Sequence, residues 1–468
     1  MTDMETVPSN DVSNRPKPTL SLVGVCVLSA IMCVTVTLPE GAGWTTPLLV
    51  IVPGILTAVV IRSSIISAAY LAQVTLYFGI TTLILGTQWE PRLISAVLAW
   101  SLALAVGTLA GGLSARRTLR SSSSRPGPRL PHYALCSVLI GVNAFLVLSS
   151  RSGYAAQLTN GVSTPTGILG TLSSVAPIIT LTLLFNSIGS DRRSRVAIIL
   201  ATVQAFVLAL SGFRGAGGVF IVSILVGAAL TLPLGSAWMR KSRLLVVLPS
   251  LLLLVVSTLL LGAGIKNSAA SELGVSSSGT ELFTLNNALR NTSIRLQLGS
   301  SLDTAIKYRD SSVAKEAVSW KDQLGAAAPR LLWPGKPRVD YGQRVSVAMY
   351  GLTYGQSSST VTTIGDSILN YGLGGMVLAG LLAGYAVSRF EGWVQRGVTG
   401  LSLLLAAVVV YSTVGQEQPI LLILVGIVRD GLVAGALWVA ATVVADLMRS
   451  NSPRSPTQRD SCDVVVGG

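Results

Sequence analysis

Residues 93–113 read LISAVLAWSLALAVGTLAGGL, which is 21 consecutive residues without a charged side chain. An α-helix of this length rises about 30 Å, which matches the thickness of the hydrocarbon core of a bilayer. An uncharged apolar stretch of this length is therefore typical of a membrane-spanning helix. Stretches of the same kind return along the whole chain, so this segment decides the class of fold.

Twelve apolar windows of about this length occur in the 468 residues. Only 12% of the residues are charged, about half the share that a soluble protein carries. The sequence therefore predicts an all-α polytopic membrane bundle of about twelve transmembrane helices. Residues 20–263 form spans 1–9 and residues 362–447 form spans 10–12. The windows are 20–38, 45–61, 65–86, 93–113, 133–150, 165–188, 196–212, 217–236, 244–263, 364–388, 398–414 and 420–447.

Lysine and arginine residues are concentrated in every second connection between the windows. If the spans alternate in direction, 19 of the 34 cationic residues fall on one side of the membrane. The short connections of the other side and the last span hold only Arg92, Arg151, Arg214 and Arg429. Because cationic connections stay in the cytoplasm, both termini are predicted to be cytoplasmic, as disordered tails over residues 1–19 and 448–468. This placement also explains the net charge of +14 without nucleic-acid binding.

The remaining 11 cationic residues lie in residues 264–361, a segment of about 98 residues between spans 9 and 10. We predict a large, partly helical extracytoplasmic loop here. A long structured connection between spans is usually functional, so the candidate site is expected on the outer face. Helices are expected in the middle of the loop, where charges separate the apolar residues Leu296, Leu298, Leu302, Ile306, Val313 and Val318.

Arg214 is the first candidate site residue. It lies in the predicted turn between spans 7 and 8, within the sequence SGFRG at residues 211–215. Flanking glycines let the backbone approach a ligand closely, and a guanidinium can bind a phosphate through two parallel hydrogen bonds. The alternative is an interfacial arginine whose charged end extends to the lipid headgroups.

A second candidate is the sequence PRLLWPGKPR at residues 329–338. Its three prolines stiffen the backbone, and its three cationic residues lie within nine positions. A rigid cationic loop near the outer face suits a pyrophosphate or another anionic headgroup. The alternative is a solvated loop that meets anionic lipids without specificity. The candidate binding residues in and just after this segment are Arg330, Trp333, Lys336, Arg338 and Arg344.

The start of span 10 is the third candidate, because the positive end of its helix dipole faces the outer side. Such helix ends bind anions, and the hydroxyl groups of residues 359–363, including Thr363, add hydrogen-bond donors. Asp366 follows in the first turn and could orient or deprotonate an acceptor hydroxyl. The alternative is a carboxylate that the helix dipole merely stabilises.

Few other residues carry recognisable chemistry. Arg429 and Asp430 interrupt the last span as an adjacent pair that either neutralises itself, the favoured interpretation, or marks a bent segment. Glu417 in the preceding turn is a weaker candidate acid. The sequence contains no nucleotide-binding glycine loop, serine triad or metal-ligand cluster, so we expect neither a cofactor nor a metal ion.

Three of these strings resemble the bacterial oligosaccharide repeat-unit polymerases, the O-antigen polymerase (Wzy-like) family related to the O-antigen ligases. The strings are SGFRG at 211–215, PRLLWPGKP at 329–337, and IGD at 364–366 followed by NYGLGG at 370–375. Their order and the twelve-span topology also match, whereas the rest of the chain agrees in hydropathy only. The family often has glutamate at the position of Asp366. The ligases use a histidine in the large loop, which this loop lacks, since the only histidine is His132.

The resemblance implies a GT-C-like, metal-independent glycosyltransferase of the bacterial cytoplasmic membrane. Such an enzyme moves a growing glycan from an undecaprenyl diphosphate carrier to a sugar hydroxyl of a fresh lipid-linked repeat unit. A chain-length regulator and a flippase are implied as further partners, besides the membrane lipids. Fixed cations stabilise the leaving diphosphate, and Asp366 is the base or the acceptor-orienting group. The cationic role falls to Arg214 and Arg330, assisted by Lys336, Arg338 and Arg344.

Two rival functions follow from the same topology. A lipid-linked-sugar flippase or polysaccharide exporter would carry charged or polar residues within several spans, whereas only Arg429 and Asp430 lie near the middle of a predicted span. A lipid-phosphate-sugar glycosyltransferase of the actinobacterial envelope would show an acidic pair in the first outer loop. That loop, residues 39–44, contains only Glu40. Both observations favour a polymerase.

Overall fold

The structure is a computed structural model of the chain. It describes residues 45–61, 63–114, 128–149, 152, 168–187, 191–211, 214–231, 298–325, 341–352, 361–396, 400–414 and 418–450. All regular secondary structure in these residues is helical, which confirms the predicted all-α class. Residues 1–19 and 451–468 of the predicted tails and the predicted spans 20–38 and 244–263 lie outside the described residues. Residues 448–450, predicted as the start of the disordered C-terminal tail, are instead the last residues of the helix Ile420–Ser450.

Among the described residues, seven apolar helices precede the predicted loop. The second of them, α2, consists of Ile65–Val74, a π-helical turn Thr75–Ile80 and a final turn Thr81–Leu85. The others are α1 Thr45–Val60, α3 Pro91–Ser114, α4 Leu130–Leu148, α5 Ile168–Ser187, α6 Asp191–Leu210 and α7 Arg214–Thr231.

In the described part of the predicted loop there are four short helices, and three longer helices are described after it. The short helices are α8 Gly299–Lys307, α9 Ser312–Ala317, α10 Trp320–Gly325 and α11 Tyr341–Tyr350. The later helices are α12 Thr363–Arg396, α13 Gly400–Thr413 and α14 Ile420–Ser450.

Seven of the described helices are long and apolar enough to cross a bilayer, namely α2 to α6, α12 and α14. The apolar stretches of α1, α7 and α13 are shorter, between 10 and 17 residues. These ten helices coincide with ten of the twelve predicted windows. The structure therefore shows an all-helical bundle with seven candidate membrane-spanning helices, and the count of twelve spans stays a prediction.

Helices α3 and α12 approach each other so closely that their backbones meet. A Cβ atom on Gly107 would lie 2.0 Å from the carbonyl oxygen of Leu381, and one on Gly384 would lie 2.1 Å from that of Leu104. Lipid tails are as apolar as leucine, so helices in a membrane associate mainly through close packing and hydrogen bonds. Small residues permit that packing, and α3 thus fixes the position of α12, the helix that carries the candidate site.

A buried carboxylate joins α12 to α2 at one end of the bundle. Glu391 is only 2% exposed. It accepts hydrogen bonds from the Ser64 hydroxyl at 2.8 Å, the Ile65 N–H at 2.9 Å and the Ile66 N–H at 2.5 Å. The first N–H groups of a helix have no partner within the helix, and they attract negative charge. Glu391 satisfies two of these groups in α2.

A Glu391→Gln substitution should therefore lower the free energy of unfolding by about 2 kcal/mol, since an amide brings no charge and only one accepting oxygen. The measurement is the midpoint of thermal unfolding of the purified protein in detergent. Glu316→Gln, on an exposed position of α9, is the matched control and should leave the midpoint unchanged. Equal midpoints for both variants would contradict the role of Glu391 as a helix cap.

Helix ends that an alternating topology places on the same side of the membrane lie together in the structure. At the end that contains Glu391, Arg129 before α4 forms an ion pair with Asp446 near the end of α14. At the opposite end, the Thr363 hydroxyl donates to the Gln418 carbonyl at 2.8 Å, so that α12 and α14 begin side by side. The sequence predicts that the end of the bundle with Glu391 is cytoplasmic and that the end with Thr363 and Gln418 is the outer one.

The four short helices α8 to α11 form a cap over the start of α12. We use the term cap for residues 298–325 and 341–352. Its apolar core contacts Val361 and Leu369, which flank the first turns of α12. The described part of the predicted loop is thus mainly helical, as expected, and Val313 is exposed. The buried cap residues of this core are Ala305, Ala314, Val318, Tyr341, Val345 and Met349.

Candidate active site

The helix α12 has two parts that meet at Gly372. This residue has φ 70° and ψ −176°, in the region of positive φ that residues with a side chain rarely adopt. Residues 363–371 lie under the cap, and residues 373–396 run through the bundle beside α3. The kink thus separates a short segment that carries Asp366 from the long membrane-spanning segment.

Asp366 lies near the outer boundary of the predicted membrane rather than within its core. Glu391, paired with the start of α2, marks the opposite boundary. The 19 residues from the kink at Gly372 to Glu391 rise about 28 Å along a helix, close to the thickness of about 30 Å of the hydrocarbon core. Because Asp366 lies beyond this kink and under the cap, we expect it in the interfacial region on the side of the cap.

The Asp366 carboxylate is 2% exposed and is held through one of its two oxygens. Its Oδ1 atom accepts hydrogen bonds from Gln323 Nε2 at 3.0 Å, Asn370 Nδ2 at 3.0 Å and the Tyr341 hydroxyl at 3.3 Å. These donors come from α10, α12 and α11. Among the residues that the structure describes, none donates to Oδ2. The carboxylate is therefore fixed in orientation, with its second oxygen available to a further partner.

The donors to Asp366 are themselves held in place. Gln323 Nε2 also donates to the Val318 carbonyl at 2.8 Å, and Asn370 Nδ2 reaches the same carbonyl at 3.2 Å. Burial raises the pKa of Tyr341 well above its usual value, and the charge of Asp366 adds to this effect. Tyr341 consequently keeps its proton at every physiological pH and remains a donor to the carboxylate.

Arg344 lies beside this cluster in an ion pair with Asp322. Its Nη1 atom is 2.7 Å from Asp322 Oδ2. Asp322 precedes Gln323 on α10, and Arg344 follows Tyr341 by one helical turn on α11. The side chains of Arg344 and Asp322 are 29% and 42% exposed, so the pair borders solvent. The structure thus brings two predicted site residues, Arg344 and Asp366, into one cluster.

The other site residues predicted from the sequence either contact different residues or have side chains that the structure does not describe. Thr363 is 3% exposed and donates its hydroxyl hydrogen to Gln418, so this contact links α12 to α14. Arg214 is the first residue of α7, and the structure describes its backbone only. The remaining predicted candidates lie outside the described residues. They are Arg330, Trp333, Lys336, Arg338 and the weaker candidate Glu417.

The segment 326–340 is nevertheless joined to the site through the chain itself. It connects α10 to α11, and each of these helices supplies a donor to Asp366. Gln323 lies three residues before this segment, and Tyr341 follows it directly. The cationic segment predicted from the sequence is therefore attached to the Asp366 cluster at both of its ends.

Arg429 and Asp430 pair with each other within α14. The distances are 2.8 Å from Arg429 Nε to Asp430 Oδ1 and 3.2 Å from Nη2 to Oδ2. The helix is continuous over Ile420–Ser450, so the structure agrees with the predicted self-neutralising pair rather than with a bent segment.

The residues that sequence reasoning missed are the neutral partners Gln323, Tyr341 and Asn370, together with Asp322. Only Asn370 could have been found from the sequence, because it lies four residues after Asp366 and therefore on the same face of a helix. Gln323 and Tyr341 precede Asp366 by 43 and 25 residues, and only the packing of the cap brings them to it.

No family model matches this chain, and neither a curated protein nor a solved structure matches it. The fold and the site themselves define the class. The protein is an all-helical protein with candidate membrane spans, and it holds an oriented carboxylate beneath a helical cap at one end of its bundle.

Proposed function

We propose that the protein is a metal-independent glycosyltransferase that polymerises undecaprenyl-diphosphate-linked repeat units into a surface polysaccharide. In this proposal the chain has twelve spans, a GT-C-like arrangement and both termini in the cytoplasm. It acts at the extracytoplasmic face of the bacterial cytoplasmic membrane. One observation carries the proposal, namely the Asp366 carboxylate that three side chains hold through Oδ1 at the membrane boundary.

The Oδ2 atom of Asp366, to which none of the described residues donates, suits an acceptor sugar. Its Oδ2 atom would accept the hydrogen of the attacking hydroxyl and take the proton as the new glycosidic bond forms. At the same time the bond between the anomeric carbon and the carrier phosphate breaks, and the carrier diphosphate leaves. The location near the membrane boundary agrees with substrates whose sugars extend from a lipid-anchored diphosphate.

The leaving diphosphate gains negative charge, so the reaction needs cations near the carboxylate. Arg344 stands beside the cluster at an exposed edge, where a phosphate could compete with Asp322 for its guanidinium. The segment with Arg330, Lys336 and Arg338 begins and ends at helices that contact Asp366. In the proposal these residues and Arg214 bind the diphosphate, and Trp333 and Thr363 complete the glycan site.

A flippase or exporter is the alternative. Such a protein would need charged or strongly polar side chains along a passage through the membrane. In the part of the chain that the structure describes, Asp366, Glu391 and the pair of Arg129 with Asp446 lie towards the ends of the bundle. The Arg429–Asp430 pair neutralises itself. Buried amide side chains do lie within the helices, at Gln73, Asn143 and Gln204, but they carry no charge. The distribution of charge supports chemistry at one face rather than passage through the bundle.

Deletion of the gene tests the proposed function directly. The extracted glycans of the deletion strain are separated by size and compared with those of the parent and of a complemented strain. Loss of the polymer ladder together with accumulation of single lipid-linked repeats supports a polymerase. Loss of both the ladder and the outward-facing repeats would instead indicate a flippase, and an unchanged ladder would refute both functions.

Substitutions of the two main cations test the proposed binding of the diphosphate. Arg214→Ala and Arg330→Ala variants should each polymerise glycan at least about 10-fold more slowly, since each loses a charge that stabilises the leaving group. The rate is measured from the polymer formed per amount of membrane-inserted protein. Arg309→Ala, at an exposed position in the turn after α8, is the control and should behave as the parent. Parental rates in both variants would refute their assignment.

A further inference from the structure

The short helix α10 combines one buried residue at the candidate site with exposed apolar residues. Gln323 is buried and donates to Asp366, whereas Trp320 and Leu324 are 47% and 44% exposed. Trp320 and Leu324 are four residues apart, so they lie next to each other on one face of the helix. An adjacent tryptophan and leucine on an exposed face indicate a surface that is not simply solvated.

The position of α10 places this face at the boundary of the membrane. Gln323 touches Asp366, which lies on the cap side of the kink at Gly372, beyond the segment of α12 that is long enough to cross the hydrocarbon core. The helix also packs against α14, where the exposed residues Leu424 and Val428 lie within the first three turns. The exposed side of α10 is thus at the same level as the outer end of the candidate membrane spans.

The residues on this face match the chemistry of the lipid interface. Tryptophan is enriched at the level of the headgroups, because its ring is apolar and its N–H is polar. Lys321 places its ammonium 6.0 Å from the centre of the Trp320 ring. From there a lysine reaches lipid phosphates while its apolar stem stays against the membrane.

We propose that α10 is an interfacial anchor that binds the phospholipid headgroup region of the leaflet on the side of the cap. Trp320 and Leu324 enter the boundary between headgroups and acyl chains, and Lys321 contacts lipid phosphates. Since Gln323, one helical turn after Trp320 in the same short helix, holds Asp366, contact with the membrane also fixes the position of the carboxylate. The proposal depends on the membrane location alone and is independent of the glycosyltransferase function.

Tryptophan fluorescence of the full-length protein in lipid nanodiscs tests the anchor. The emission of the parent and of Trp320→Phe is compared in discs of ordinary phosphatidylcholine and of phosphatidylcholine brominated near the headgroup. If Trp320 lies in the interface, the substitution removes part of the emission that brominated lipid quenches. Trp393→Phe is the matched control, because Trp393 is 43% exposed near the other end of α12 and should also remove lipid-quenched emission.

Iodide in the surrounding water provides the opposing measurement. If the Trp320→Phe substitution removes emission that iodide quenches and leaves the lipid-quenched part intact, Trp320 faces water and the proposal fails. If the substitution changes neither part, while Trp393→Phe still removes lipid-quenched emission, another part of the protein covers Trp320 and the proposal likewise fails. Only loss of the lipid-quenched emission supports the anchor.

Discussion

Replacement of Asp366 by asparagine is expected to lower polymer formation by at least about 100-fold, the usual contribution of a general base. The reason lies in the unequal surroundings of the two carboxylate oxygens. In an Asp366→Asn variant the amide oxygen can still accept hydrogen bonds from Gln323, Tyr341 and Asn370. The amide nitrogen then replaces Oδ2, and it cannot take a proton from an acceptor hydroxyl.

This prediction separates a catalytic role from a structural one. The Asp366→Asn variant should reach the same level in the membrane as the parent and unfold within a few degrees of it, while the polymer disappears. Asp310→Asn serves as the control, since that side chain is 84% exposed in the same cap. If the Asp366→Asn variant forms polymer at the parental rate per amount of protein, the carboxylate is not the base.

The bundle was predictable because lipid imposes a simple length rule on apolar sequence. The same rule misjudged the end of α12. The apolar window ended at residue 388, before Arg389 and Glu391, whereas the helix continues to Arg396. By its hydropathy, Glu391 belongs to the polar connection between the tenth and eleventh predicted spans. In the structure its charge is instead satisfied by the first N–H groups of α2, a partner more than 300 residues away in the chain.

The candidate site was predictable only where charged residues stand out from their surroundings. Asp366 is an acid in the first turn of a span, Arg344 is a cation just after the proline-rich segment of the loop, and the structure brings the two into one cluster. Nothing in the sequence pointed to the neutral donors Gln323 and Tyr341, because a single glutamine or tyrosine in a polar loop belongs to no motif or periodic pattern. Their importance comes from the cap, which folds them onto a carboxylate that the sequence showed only as an isolated acid.

The packing of α3 against α12 leads to the second large effect. A Gly384→Ala substitution should lower the thermal unfolding midpoint strongly, with a cost of about 3 kcal/mol or more in the free energy of unfolding. The added Cβ would lie 2.1 Å from the Leu104 carbonyl oxygen and 2.9 Å from the Thr108 nitrogen. Both are backbone atoms, so no side chain can move aside and the two helices must separate.

Gly435→Ala in α14 is the matched control, because a Cβ at Gly435 would meet no atom within 4 Å. Alanine is the better helix former by about 1 kcal/mol, so this variant should be as stable as the parent or more stable. If Gly384→Ala lowers the unfolding midpoint whereas Gly435→Ala leaves it unchanged or raises it, contact with the backbone of α3 is the cause of the lost stability. Equal midpoints for Gly384→Ala and Gly435→Ala would show that α3 and α12 do not touch as the structure has them.

The same substitution also connects the packing of the bundle to the site. Asp366 lies 18 residues before Gly384 on α12, and its donor Gln323 belongs to the cap rather than to that helix. If α12 moves away from α3, the carboxylate moves relative to Gln323 and Tyr341. Any Gly384→Ala protein that still folds should therefore form polymer more slowly than Gly435→Ala protein present in equal amount. A folded Gly384→Ala protein with parental activity would mean that α3 does not position Asp366.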